Sequence, residues 1–322
     1  MGSSHPRQGQ GRHGVTGDQY PAGTTDSTDS TDSADPADPA ASAGSAPAVP
    51  EPATEAGRSG LAALLADPAR AVIAFDFDGT LAPIVADPGQ ARAHPGAVPA
   101  LAALAPRVRS VAIITGRPAL TAVEHGSFAG VAGLEHLVVL GHYGAERWDA
   151  ATNTLTAPDP HPGVTAVRAE LPDLLERHAA GGAWIEDKGF AVAVHTRRAA
   201  DPQAAFEALR EPLGGLAARH RLAVEPGRFV LELRPPGMDK GVALTRYVRE
   251  VGGTSVLYGG DDLGDLPAFA AVDKLRSDGI PGLLVCSGST ETTDIAERSD
   301  LVVDGPGGMV QLVAALAEAM TG

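Results

Sequence analysis

Large apolar residues are almost absent from the first 57 positions, where "TTDSTDSTDSADPADPA" repeats Asp, Ser, Thr, Pro and Ala. Such a segment cannot bury enough surface to offset its ordering entropy, so residues 1–57 are expected to form a disordered low-complexity tail. From Arg58 the texture changes. "GLAALLADP" reads as a short helix, and "AVIAFDF", beginning at Ala71, as a strand apolar at consecutive positions, the pattern of burial on both faces. "PGAVPALAALAPR" is helical, "SVAIITGR" is a second buried strand, "ALTAVEHG" starts a helix, and "HLVVLGHYGAERW" is a third strand with its exit loop. Strand, helix, strand, helix, strand is the rhythm of a parallel sheet.

The middle of the chain has another period. "VTAVRAELPDLLERHA" is helical, and "AWIEDKG" and "FAVAVHTR" read as strands around a turn at Lys188-Gly189. "PQAAFEALREPLGGLAARH" is helical again, and "RLAVEPG" and "FVLELRP" form a hairpin-like pair around Pro226-Gly227. Val230, Glu232 and Arg234 alternate with Phe229, Leu231 and Leu233, which predicts an open antiparallel sheet with one wet face. The order αββαββ therefore reads as a small α+β domain inserted into an α/β one. After Pro236 the first rhythm resumes: "KGVALTRYVREV" is a helix, "TSVLYGGDD" a strand, "LPAFAAV" a helix and "PGLLVCSG" a strand. "TDIAERSD", "LVVDG" and "GGMVQLVAALAEAM" continue as helix, strand and helix. The flanking parts are incomplete alone. Together they predict an α/β, doubly wound, mostly parallel Rossmann-like sheet.

Composition narrows the partners. The chain has 322 residues, 43% of them hydrophobic but only 4% aromatic, so Ala, Val and Leu must fill its core. Its formal net charge is −15; residues 1–57 carry eight acids and two arginines, a net of −6, which leaves −9 for the remainder. That balance argues against nucleic acid and anionic membrane as partners. No apolar run reaches 18 residues and the N-terminus shows no apolar signal-peptide region, so no membrane span and a cytoplasmic location are expected. The single cysteine, Cys286, excludes an internal disulfide and reads as a small buried hydrophobe.

Candidate chemistry gathers at strand ends. The first strand runs into Asp76 and Asp78, the second into Thr115, and a later one into Asp261 and Asp262. Open parallel sheets bind ligands at this edge. Four carboxylates there would repel one another unless a cation sat between them, and a hard dication with oxygen ligands, Mg²⁺ beside phosphate, is the natural occupant. Two residues apart on a strand, Asp76 and Asp78 point to one face, and Gly79 lets the chain turn away. One carboxylate can attack phosphorus while the other handles the leaving group's proton.

These residues carry a resemblance. "DFDGT" at Asp76–Thr80, "ITGR" at Ile114–Arg117, Lys240 in "MDKGVAL" and "GGDDLGD" at Gly259–Asp265 are similar, in order, to the four motifs of the haloacid dehalogenase superfamily. The resemblance runs from Gly60 onward. It implies a catalytic core of residues 58–157 and 238–322 and a C2-type cap of residues 158–237 that selects the leaving group. It further implies Asp76 as nucleophile and metal ligand, and Asp78 as general acid/base and metal ligand through its carbonyl. Thr115 and Lys240 would hold the phosphoryl oxygens, and Asp261 would complete the metal site. Asp262 would orient Lys240 or a metal-bound water, with Asp265 acting from further out.

Three more stretches, "GHYGAE" at Gly141–Glu146, "EDKGFAVAVHTR" at Glu186–Arg197 and "LELRPPGMDKGVAL" at Leu231–Leu244, resemble trehalose-6-phosphate phosphatases. That resemblance implies Mg²⁺-dependent hydrolysis of trehalose 6-phosphate to trehalose and phosphate through an aspartyl-phosphate, the last step of trehalose biosynthesis. It also implies association with a trehalose-6-phosphate synthase. Asp76, Phe77, Asp78, Lys188, Glu232 and Arg197 would contact the substrate, with His195 beside them and Glu146 in a structural role. A disaccharide offers many hydroxyls and one phosphate, which suits such donors and acceptors. The chain departs from the family's usual pattern at Tyr143, in place of His, and at Gly264 and Leu266, in place of Thr and Glu. C2-capped phosphatases of sucrose, mannosylglycerate or glucosylglycerol phosphate, and a non-catalytic sugar-phosphate-binding relative, stay open at this point.

Overall fold

A computed structural model describes residues 48–178, 181–288 and 293–321. In chain order the first part comprises α1 (Glu55–Ala66), β1 (Ala71–Phe75), α2 (Ala97–Leu104), β2 (Ser110–Ile114), α3 (Ala119–Gly126), β3 (Leu137–Gly141), β4 (Glu146–Asp149) and β5 (Thr154–Thr156). The middle comprises α4 (Pro162–Arg177), β6 (Trp184–Asp187), β7 (Val192–His195), α5 (Pro202–Arg219), β8 (Ala223–Gly227) and β9 (Val230–Arg234). Then follow α6 (Lys240–Val251), β10 (Ser255–Gly260), α7 (Leu266–Ser277), β11 (Gly282–Gly288), α8 (Thr293–Arg298), β12 (Leu301–Asp304) and α9 (Gly305–Ala319).

The larger sheet runs β12-β11-β10-β1-β2-β3-β4-β5, parallel from β12 to β3. Period-2 geometry explains its apolar strands. Ala71, Ile73 and Phe75 of β1 enter one core with α1, α2, α3 and α9, while Val72 and Ala74 enter the other with α6, α7 and α8. A strand covered on both faces has no polar position, which is why "AVIAF" is apolar throughout. Cys286 of β11 lies fully buried in the second of these cores.

The third strand differs from its expectation. It ends at Gly141; His142, Tyr143 and Gly144 take positive φ values of 47°, 57° and 89°, and the chain returns as antiparallel β4, which pairs in turn with β5. A parallel sheet thus ends in an antiparallel margin.

The middle elements form a separate four-stranded antiparallel sheet, β6-β7-β9-β8, with α4 and α5 packed on one face. Its hairpin turns at Arg228-Phe229; Pro226 and Gly227, expected in the turn, pair with Leu231 and Val230. Leu231 and Leu233 face the helices, and Glu232 faces away from them as the alternation predicts. Yet Glu232 and its partner Ala193 are buried, so the expected wet face is covered there.

The tail boundary also moves. Thr54 caps α1 by accepting from Gly57 N at 2.9 Å, its hydroxyl bonds to Asp300, and Ala53 N donates to Asp300 O at 2.7 Å. Residues 48–57 therefore belong to the folded body because α1 needs its first turn and cap there; residues 1–47 lie outside the described residues. Among the described residues no helix is long and apolar enough to cross a membrane.

Candidate active site

β1 delivers its chemistry one residue past its end. Asp76 N donates to Gly259 O of the neighbouring β10 at 2.9 Å, which continues the ladder up to the carboxylate. Phe77 points the other way, its ring fully buried and edge-on to Phe128, so only its main chain is left for substrate. The chain then turns back through a tight loop in which Leu81 N and Ala82 N both donate to Phe77 O at 2.9 Å. Gly79 sits in this turn with φ 75°, and a Cβ there would stand 1.9 Å from Asp261 Oδ2. No other residue allows both that backbone conformation and that approach.

Lys240, the first residue of α6, reaches buried into the same point. Its Nζ lies 2.9 Å from Asp76 Oδ1 and 2.7 Å from Asp265 Oδ1. Asp265 also accepts from the Tyr258 hydroxyl at 2.6 Å and from Asp261 N and Asp262 N at 2.9 and 3.2 Å. This wholly buried carboxylate is the hub of the site. Asp262, expected to orient Lys240 or a metal-bound water, accepts from Gly264 N at 2.9 Å, and it is Asp265 that bonds Lys240 directly. The reason is local: a reciprocal cap between Asp262 and Asp265 folds the chain after β10 so that Asp265 turns inward.

Burial raises the Asp76 pKa well above the carboxylate range against the pull of Lys240, and raises Asp261 to about 8 with the help of Asp265 and Asp262. For Lys240, burial works against the charge, but Asp265 and Asp76 outweigh it and hold the ammonium well above the usual range. Asp76, Asp261 and Asp265 offer carboxylate oxygens all within 4.8 Å of one another. Asp265 is already engaged by four donors, whereas among the described residues the Asp76 carboxylate meets only Lys240 and that of Asp261 only the Thr80 hydroxyl, so these two carboxylates keep oxygens for a cation. Buried like charges of this kind fit a hard divalent cation with oxygen ligands. The Asp78 carboxylate stands outside this group, so of the three expected metal ligands it is Asp76 and Asp261 whose side chains come together.

The second strand supplies a clamp. Thr115 is buried just past β2 and accepts from Arg117 N at 3.1 Å. Arg117 holds Asp78 in a bidentate pair, Nε to Oδ2 at 2.6 Å and NH2 to Oδ1 at 2.7 Å. Arg117 stands within "ITGR" with no role assigned from sequence; the signal for one is a lone cation in a motif whose neighbouring strand carries two acids.

A cavity of about 720 Å³ joins these groups to the smaller sheet, within the usual range for small-molecule sites. The core contributes Asp76, Asp78, Thr115, Lys240 and Asp261, and the β6–β7 hairpin contributes Glu186, Lys188 and His195. Lys188 Nζ bonds Glu232 Oε2 at 2.5 Å, and Glu232 holds its charge high although burial opposes it. His195 bonds Glu186 at 2.7 Å and stacks on Trp184. Arg197 is exposed and outside the cavity lining, so the structure does not bring it to the others. Glu146 accepts from Ala119 N at 2.8 Å, capping α3 in the structural role expected of it.

Comparison with known proteins gives the family and the fold. The family model described as trehalose-phosphatase matches residues 74–303. The trehalose-phosphate phosphatase of Mycobacterium tuberculosis is 34% identical over 265 residues, covering 76% of this chain and 60% of its own length. That of Mycobacterium leprae is 34% identical over 252 residues, covering 72% and 54%. The chain thus spans about 60% of the length of the first of these relatives. Among solved structures, the C-terminal domain of C. albicans trehalose-6-phosphate phosphatase superposes with a TM-score of 0.64 at 21% identity, covering 84% of this chain and 99% of that one. The Aspergillus fumigatus trehalose-6-phosphate phosphatase gives 0.60 at 24% identity, covering 84% and 99%. A haloacid dehalogenase-like hydrolase from Bacteroides thetaiotaomicron shares the fold with a TM-score of 0.52 at 15% identity. With the motifs on one sheet edge and a family model spanning both the core and the inserted sheet, the chain belongs to the trehalose-phosphatase family.

Proposed function

We propose that the protein is a Mg²⁺-dependent phosphatase that hydrolyses trehalose 6-phosphate to trehalose and phosphate. The observation that carries this reading is one cavity lined both by a Lys240-paired Asp76 and by the Lys188 and Glu186–His195 groups of the inserted sheet. The first set suits phosphoryl transfer and the second suits a polyhydroxylated leaving group.

In this reading Asp76 attacks phosphorus, the bond from phosphorus to the sugar oxygen breaks, and Asp78 gives that oxygen its proton. Asp78 then takes a proton from the water that cleaves the aspartyl-phosphate, which releases phosphate and restores Asp76. Arg117 holds the Asp78 carboxylate in place for both transfers. Lys240 has three N–H donors, of which Asp76 and Asp265 take two, and the third is left for a phosphoryl oxygen. Thr115 accepts from Arg117 N, so its own O–H is free to donate to a second one. Mg²⁺ held by Asp76 and Asp261, with the Asp78 carbonyl, would neutralise charge on the phosphoryl group. The phosphate ester itself is made by a sugar-phosphate synthase, the expected partner of this enzyme.

Phosphate release from a panel of sugar phosphates, with Mg²⁺ and with EDTA, tests the reading. Trehalose 6-phosphate is expected to give the highest kcat/KM, with turnover lost in EDTA. Equal or better turnover of sucrose, mannosylglycerate or glucosylglycerol phosphate would overturn the substrate. Asp76→Asn is expected to lower kcat at least about 1,000-fold with an unaltered circular dichroism spectrum; wild-type turnover in that variant would remove the nucleophile.

A further inference from the structure

Tyr143 stands where the two halves of the cavity meet, and none of the roles above uses it. It occupies the left-handed region at φ 57°, a conformation that costs a tyrosine energy and is held here by its N–H bond to Thr115 O at 2.9 Å. It is thereby built onto the end of the strand that carries Thr115. Its hydroxyl fills the space above Gly116, where an added Cβ would lie 2.7 Å from Oη. The ring lines the cavity, yet no described group hydrogen-bonds to the hydroxyl.

The inserted sheet grips this ring from the other side. The Arg234 guanidinium lies 4.4 Å from the ring centroid. Arg234 is itself held by Glu232 at 3.6 Å and Glu225 at 3.5 Å. Glu232 is the partner of Lys188. One chain of contacts therefore runs from Thr115 through Tyr143 and Arg234 to the Glu232–Lys188 pair.

We propose that Tyr143 is a specificity-determining residue: its hydroxyl binds a sugar oxygen beside the carbon that bears the phosphate, and its ring registers the Lys188–Glu232 pair against the phosphate site through Arg234. This inference rests on the hydrolase reading above. A phenol both donates and accepts, as a sugar hydroxyl requires. An aryl phosphate has no such oxygen and gains nothing from it.

The test compares KM and kcat for two substrates, p-nitrophenyl phosphate and whichever sugar phosphate the wild-type protein turns over best. Tyr143→Phe keeps the ring and the Arg234 contact and removes only the hydroxyl. It is expected to raise KM for the sugar ester roughly tenfold, with kcat for that ester and kcat/KM for the aryl ester each changing less than about threefold. Arg234→Met, which releases the ring, is expected to give the same split. A rise in the sugar-ester KM below about threefold in either variant, or equal losses on both substrates, overturns the proposal. A wild-type protein with no preference for any sugar ester sinks the functional reading first and this inference with it.

Discussion

At Asp261 a single side chain would couple metal binding and protonation to the fold. Burial and its acidic neighbours raise its pKa from 3.8 to about 8. A group whose pKa is higher folded than unfolded stabilises the protein below the unfolded value, and that contribution fades as pH rises through the folded one. The metal-free protein is therefore expected to lose stability from this group between about pH 4 and pH 8. A divalent cation needs the carboxylate, so its binding displaces the proton, and apparent Mg²⁺ affinity should climb up to about tenfold per pH unit until that window closes. Melting curves with Mg²⁺ and with EDTA at pH 5.5 and 8 should show a larger Mg²⁺-induced rise in Tm at the higher pH; a constant difference would contradict this. Gly79 gives a second test at the same scale. Gly79→Ala would force a Cβ into Asp261 at φ 75°, and should cost about 2 kcal/mol or more in urea unfolding together with most of the Mg²⁺ response.

At the scale of elements, the working side chains sit on turns that begin where strands stop. β1, β2 and β10 end at Phe75, Ile114 and Gly260, and the chemistry starts at the next residue in each case. A strand held on both sides gives its last residue a fixed position, and the following turn then aims the side chain. Helix α1 shows the same economy far from the cavity. The buried Asp300 carboxylate accepts from Leu284 N at 2.7 Å, from Arg276 and from the Thr54 hydroxyl that caps α1. Asp300→Ala leaves the buried Leu284 N without its acceptor and removes one of the carboxylates that hold Arg276, and is expected to cost about 3 kcal/mol in chemical denaturation. Phosphatase activity per folded molecule should change little, because Asp300 lies outside the cavity lining.

For the molecule as a whole, the proposed reaction is divided between two sheets. The parallel sheet carries the groups suited to phosphorus, and the antiparallel sheet carries those suited to the sugar. Lys188→Met should therefore raise KM for the sugar phosphate about tenfold or more and leave the buried Glu232 with Arg234 alone, with a smaller effect on p-nitrophenyl phosphate. Steady-state kinetics on the two substrates reads that difference directly. A Lys188→Met variant equally impaired on both would show that the inserted sheet shapes the phosphate site as well.

The class of fold was legible in the sequence, and so were the main candidate side chains. Strands covered on both faces must be apolar at every position, and that pattern is printed in "AVIAF" and "SVAII". Asp76, Asp78, Thr115 and Asp261 lie next to such runs, so local spacing marks them as candidates, whereas Lys240 comes only with the family resemblance. What those residues touch is set by contacts between distant parts of the chain. Thr80 and Asp261, and Lys240 and Asp265, are joined across 181 and 25 positions, a relation that no local period encodes. For the same reason Asp265, expected to act from further out, turns out to be the hub, and Arg117 carries no role until its pair with Asp78 is seen. Glu232 makes the point most plainly. Its alternation with Leu231 and Leu233 placed it on the correct face of the strand, and that face was expected to be wet. Whether an outward face meets water or another part of the molecule depends on how separately folded layers stack. Sequence period sets the direction of a side chain, and packing sets what it finds there.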